Sequence, residues 1–157
     1  MKKIILIIIV LFLVTETIYS QKQYAYQTEC VSTSNEGYFT IKIWNTKKGK
    51  RYKNEQARKD AIHSVLFSGF MGSSNCTASN PLLKKDSEIS NFKKIETSFF
   101  KKNGTWVKFV RMSETETTIP STVGEKNWKI YYVVISKNLL RKYLTEHKII
   151  NSLNNGF

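Results

Sequence analysis

Residues 52–72, YKNEQARKDAIHSVLFSGFMG, constrain the fold more than any other stretch of this 157-residue chain. At 3.6 residues per turn, Ala57, Ala61, Ile62, Val65 and Leu66 fall on one arc of a helix. Lys59, Asp60, His63 and Ser64 fall on the other. Ala57 and Ala61 are one turn apart and small, so a sheet can approach the backbone closely there. Asn54 is placed as an N-cap, its side-chain oxygen accepting from free amides two or three residues on. Glu55 then lies in the first turn, where negative charge suits the helix dipole. Gly69 and Gly72 offer ways to stop. Phe67 points to the polar side, between Asp60 and His63. Either the following loop covers it or a partner does.

Two strands lead into this helix. Residues 24–31 and 38–44 are rich in aromatic and β-branched side chains. Phe39, Ile41 and Ile43 alternate with Thr40 and Lys42, the pattern of a strand with one buried face. Ser34-Asn35-Glu36-Gly37 supplies a turn, so the pair reads as a β-hairpin. After the helix, 72–81 is a small-residue loop. A second helix is predicted over 86–102, with Asp86 or Ser87 as its cap and Ile89, Phe92, Ile95 and Phe99 at helical spacing. Residues 105–112 read as a strand, with Val107 and Phe109 on one face and Trp106, Val110 and Met112 on the other. A Ser/Thr-rich connection covers 113–124. Residues 128–135 are apolar on both faces, as in a central strand. A last helix begins near Leu139, with Leu139, Leu140, Tyr143 and Leu144 as its inner stripe. Neighbouring strands joined by short turns predict an α+β fold: an antiparallel sheet of about four strands with helices packed on one face, in ββα-αββα order.

Residues 1–20 read as a secretory signal. Lys2 and Lys3 supply the positive end, and 4–14 is an unbroken apolar run. It is short for a span, which takes about 20 apolar residues. Once the signal is cleaved, residues 21–157 are one domain, not integral to the membrane, in the periplasm or secreted; an uncleaved anchor is the alternative. The two cysteines, Cys30 and Cys76, have no metal-ligand spacing around them. In an exported chain they form a disulfide; in a reducing compartment they are two thiols.

The formal net charge is +13, and loss of Lys2, Lys3 and Glu16 lowers it by one unit. Such a surface favours anionic partners. Lys47, Lys48, Lys50, Arg51 and Lys53 form the densest basic run. It is either a solvated loop or an anionic docking patch. Tyr52 is its one interleaved aromatic, which is thin support for nucleic-acid bases.

No catalytic, cofactor or metal site emerges. The two histidines, His63 and His147, belong to different helices. No nucleophile-elbow, zinc-helix, phosphate-loop or dinucleotide motif is present. Ser64 and Ser68 near His63 lack an orienting third group. Cys76 with His63 would make a thiol enzyme, which the disulfide reading opposes.

Two stretches resemble the small exported domains of the LPP20 and flagellar FlgT N-terminal type. One is Gln56-Ala57-Arg58-Lys59-Asp60-Ala61-Ile62, similar to their first helix. The other, 128–140, WKIYYVVISKNLL, is similar to their closing strand and the turn after it. The resemblance covers about a quarter of the chain and implies an α+β envelope domain that binds other proteins and catalyses nothing. The expected function is an exported interaction module, with an envelope protein or an anionic envelope polymer or lipid head group as partner. An unrecognised hydrolase is the remaining alternative.

Overall fold

The computed structural model of the protein describes residues 25–113 and 128–151. The expectations for 1–20 and for most of the Ser/Thr-rich connection lie outside the described residues. The fold is α+β, with four antiparallel strands in the order β1-β2-β4-β3. These are β1 (Tyr26–Thr33), β2 (Tyr38–Asn45), β3 (Val110–Met112) and β4 (Ile130–Ser136). Three α-helices accompany them: α1 (Asn54–His63), α2 (Asp86–Phe99) and α3 (Lys137–Glu146).

The alternation in β2 does what it predicts. Phe39, Ile41 and Ile43 are buried, while Thr40 and Lys42 are only half-buried. They face Ile135, Val133 and Tyr131 of β4 across the ladder. Ile41, Ile43, Ala57, Ala61, Ile62, Val65, Leu66, Val133, Ile135, Leu140 and Leu144 are all fully buried. Removing each of the larger side chains from water contributes roughly 1.5–3 kcal/mol. β4 lies between β2 and β3, the interior position expected of it.

The turn joining β1 and β2 closes with Ser34 N–H to Tyr38 O at 2.9 Å and Gly37 N–H to Ser34 O at 3.0 Å. Gly37 has φ +80°, and a β-carbon there would strike the Asn138 side chain at the start of α3. Glycine is needed on both counts.

β1 carries an irregularity between Cys30 and Ser32. Cys30 pairs with Ile41 and Thr33 with Phe39, both core-facing positions of β2. A regular strand would send residues three apart to opposite faces; one extra residue brings both to the same side. Cys30 is joined there to Cys76 in a disulfide, with the Cα atoms 5.9 Å apart. Thr33 Oγ1 lies 3.1 Å from Cys76 Sγ. The bridge fastens the outermost strand to the loop after α1, where Phe70 and Ser79 pair across the loop.

Five local expectations are corrected. Asn54 is the first residue of α1 and caps nothing; its Oδ1 is buried without a partner. Ser64 is fully buried: seven residues after Ala57 it returns to the edge of the Ala57/Ala61 stripe, just where α1 gives way to a π-turn (Ser64–Ser68). Its hydroxyl donates to Ala61 O at 2.8 Å. Phe67 is half-buried and packs on rings that neither expectation named: His63 at 4.4 Å and Phe92 of α2 at 5.7 Å. Residues 105–109 form a 3₁₀ turn (Thr105–Phe109) where a strand was expected, so β3 is only three residues long. Three-residue spacing puts Trp106 and Phe109 inward together and leaves Val107 exposed. Trp106 donates its indole N–H to Lys101 O at 2.9 Å, and Phe109 stacks on Phe99 at 6.0 Å. Leu139 is exposed, since α3 turns Leu140 and Leu144 to the core.

The expected cap of α2 also shifts. Glu88 in its first turn accepts from the backbone amides of Lys84 and Lys85 at 2.8 and 3.0 Å. The helix ends at Phe99 and not at Lys102, before the left-handed Asn103 at φ +56°.

The disulfide closes a loop with sequence separation 46. In the chain-entropy picture that contributes about 4 kcal/mol, as an upper figure. The Cys30→Ala/Cys76→Ala variant should therefore unfold at lower denaturant. Adding a reductant should lower the midpoint of the unaltered chain and leave that of the variant unchanged.

Candidate functional site

The sheet has two unlike faces. One carries the core. On the other, Tyr38, Thr40, Lys42 and Trp44 of β2 alternate outward and stay half-buried. They lie opposite Ser136, Val134, Tyr132 and Ile130 of β4. Glu29 of β1 reaches across to Lys42 at 3.0 Å, and Lys42 Nζ also stands over the Trp44 ring at 5.4 Å. Arg111 of β3, in register with Val134, is exposed on the same side.

A groove of about 600 Å³ opens at the hairpin end of this face. Tyr38, Thr40 and Val134 line it together with Arg111, Val107 and Leu139. Val107 and Leu139 are 39% and 49% exposed, two of the three large apolar side chains left in solvent among the described residues. Sequence reasoning placed Leu139 on the inner stripe of its helix and Val107 on one strand face with Phe109. The signal it passed over is the three-residue spacing of Trp106 and Phe109, which forces Val107 outward.

The basic run stands at the other end of the sheet, after β2. Lys47, Lys48, Lys50, Arg51 and Lys53 are all exposed. Gly49–Arg51 is a 3₁₀ turn. Among the described residues, none of the five forms an ion pair; the three ion pairs involve Lys42, Lys59 and Lys142. The turn is held from below. Lys48 N–H donates to Asn45 Oδ1 at 2.9 Å, and Asn45 itself is buried.

Tyr52, the expected stacking aromatic, is fully buried and offers no platform. Its hydroxyl donates to Asp60 Oδ2 at 2.9 Å, and its carbonyl accepts from the Tyr131 hydroxyl at 2.9 Å. Burial, followed by the Asp60 charge, holds the Tyr52 phenol far above its ordinary range, so it remains a donor. Burial also raises the Asp60 carboxyl, against the opposing hydrogen bonds from Gln56 and Tyr52. The half-exposed aromatics nearby are two that sequence reasoning did not connect with the run. Trp44 ends the open face, and Trp128 is near the basic turn, its Cδ1 4.0 Å from where a β-carbon on Gly49 would stand.

The catalytic candidates separate. Cys76 is in the disulfide and so is no thiol nucleophile. His63 Nδ1 is hydrogen-bonded to the Tyr26 hydroxyl at 2.8 Å, and its ring packs on Phe67. His147 Nδ1 lies 2.9 Å from Tyr143 O, at the far end of α3. Among the described residues, no three His, Cys, Asp or Glu side chains gather to hold a metal ion. Among the same residues, no helix is long and apolar enough to cross a membrane.

The chain matches no protein-family model, no curated protein and no solved structure.

The raised Asp60 carboxyl has a testable consequence. The folded chain holds this proton more tightly than the unfolded chain, whose value is about 3.9. The resulting stabilisation is complete below that pH and is lost as pH rises through the folded value. Asp60→Asn removes the titration. Its stability relative to the unaltered chain should rise from about pH 4 upward and then level off, measured by denaturant unfolding across a pH series.

Proposed function

We propose that this chain is an exported, non-catalytic interaction module of the bacterial cell envelope, an accessory part of an envelope assembly. One observation carries the reading: the open sheet face ends in a groove whose rim leaves Val107 and Leu139 in solvent. Apolar rims around a concave surface are the form protein contacts favour. The disulfide supports an oxidising compartment. The internal engagement of His63 and Cys76 leaves neither poised for chemistry. The resemblance of 56–62 and 128–140 to LPP20 and FlgT N-terminal-type domains points the same way.

The test is a photocrosslinking residue at Leu139, in the cells that make the protein, compared with one at exposed Lys93 on α2. A discrete protein adduct at Leu139 alone is expected. Equal adducts at both positions, or none at Leu139, remove the groove as the contact surface.

A second reading rests on the five exposed, unpaired cations: the basic turn docks an anionic polymer or lipid head group of the envelope. Exposed charges are screened within about 10 Å at 0.1 M salt, so binding should fall steeply as salt rises. Changing Lys47, Lys48, Lys50 and Arg51 to Ser should weaken binding to an acidic polysaccharide more than changing Lys93, Lys94, Lys101 and Lys102. Equal losses would mean that net charge alone is responsible.

A further inference from the structure

We propose that the basic turn and the two tryptophans beside it form a docking surface for an anionic lipid membrane. This rests on the second reading above and assigns its ligand and its apolar component.

Three observations meet at one end of the sheet. The first is charge: Lys47, Lys48, Lys50, Arg51 and Lys53 are exposed, and so is Lys129 beside Trp128. Glu55, next to the run in sequence, pairs with Lys59. Glu29 pairs with Lys42, and Asp60 accepts from Tyr52 and Gln56 beneath the turn. The second is aromatic content. Of the three tryptophans, Trp106 is buried in the core, while Trp44 and Trp128 are both half-exposed and both at this end. Trp44 pairs with Ile130, two residues beyond Trp128, so the two rings flank the start of β4. The third is rigidity. The turn is fastened through Asn45 and through Tyr52, which is held by Asp60 and Tyr131. Little chain freedom remains to be lost on binding.

Membrane is favoured over a stacked polymer by the way the rings are used. Lys42 already stands over the face of Trp44, so that ring has no clear face to offer. A base or a sugar needs a clear ring face. A half-buried indole flanked by lysines suits the head-group layer instead, where its apolar body and polar edge are both satisfied. Basic side chains draw the surface in, and the tryptophans seat at the interface. Two weak signals of different kinds together give stable, reversible attachment.

The experiment uses the oxidised chain and sedimented vesicles of phosphatidylcholine, with or without phosphatidylglycerol. Binding should require phosphatidylglycerol and fall about fivefold for each cation removed among Lys47, Lys48, Lys50 and Arg51. Trp44→Ser/Trp128→Ser should weaken vesicle binding severalfold and leave binding to a soluble acidic polysaccharide unchanged. Brominated phosphatidylglycerol should quench the indole fluorescence of the unaltered chain, a readout that needs no variant to fold. Vesicle binding without quenching, or equal binding with and without phosphatidylglycerol, overturns the membrane assignment. Retained polysaccharide binding would then leave the broader anionic reading standing. Failure to bind either vesicles or polysaccharide removes both.

Discussion

Tyr52 is the joint on which this molecule turns. Its ring is buried between the sheet and α1, 5.6 Å from the Tyr131 ring. Its hydroxyl is bound to Asp60 of α1, and its carbonyl to the Tyr131 hydroxyl of the central strand. One residue thus ties helix, sheet and basic turn together. A tyrosine buried with both polar ends satisfied contributes its full apolar area without leaving an orphaned group. The five cations around it can point outward because Tyr52 points inward.

The far end of the sheet depends on a covalent joint. The irregularity in β1 lets Cys30 face the same way as Thr33, and Cys76 meets both. The loop carrying Cys76 is held to the core side by Leu82 and Leu83, whose amides donate to Val65 and Leu66 carbonyls at 3.0 Å. Lys137 completes the corner, donating to Ser79 Oγ at 2.7 Å while lying over Phe39. The open face therefore has two differently built ends, an apolar-rimmed groove and a charged turn, on one rigid sheet.

Most of the core was legible from periodicity. The α1 stripe and the β2 alternation are strong patterns, and burial follows them residue by residue. Residues 105–112 misled because Trp106, Phe109 and Val110 fit both a strand and a tight helical turn. Contact with Phe99 and the Lys101 carbonyl decides between them, and no local pattern contains that contact. Ser64 misled for a different reason: it sits at the border of the α1 stripe, about 20° round the helix from Ala57, and its hydroxyl is satisfied there by Ala61 O. At the candidate site, the basic run itself was plain in sequence. Its aromatic neighbours were not, since Trp44 and Trp128 come together only through the β2–β4 register.

By itself the sequence determined the class of fold, the apolar faces and the concentration of positive charge, because each arises from neighbours within one or two turns of chain. Only the tertiary structure decided which aromatic stands beside that charge, which cysteine geometry closes, and which leucine is left in solvent. Those outcomes depend on strand register and on the angle at which helices meet the sheet, set by packing among residues far apart in the chain.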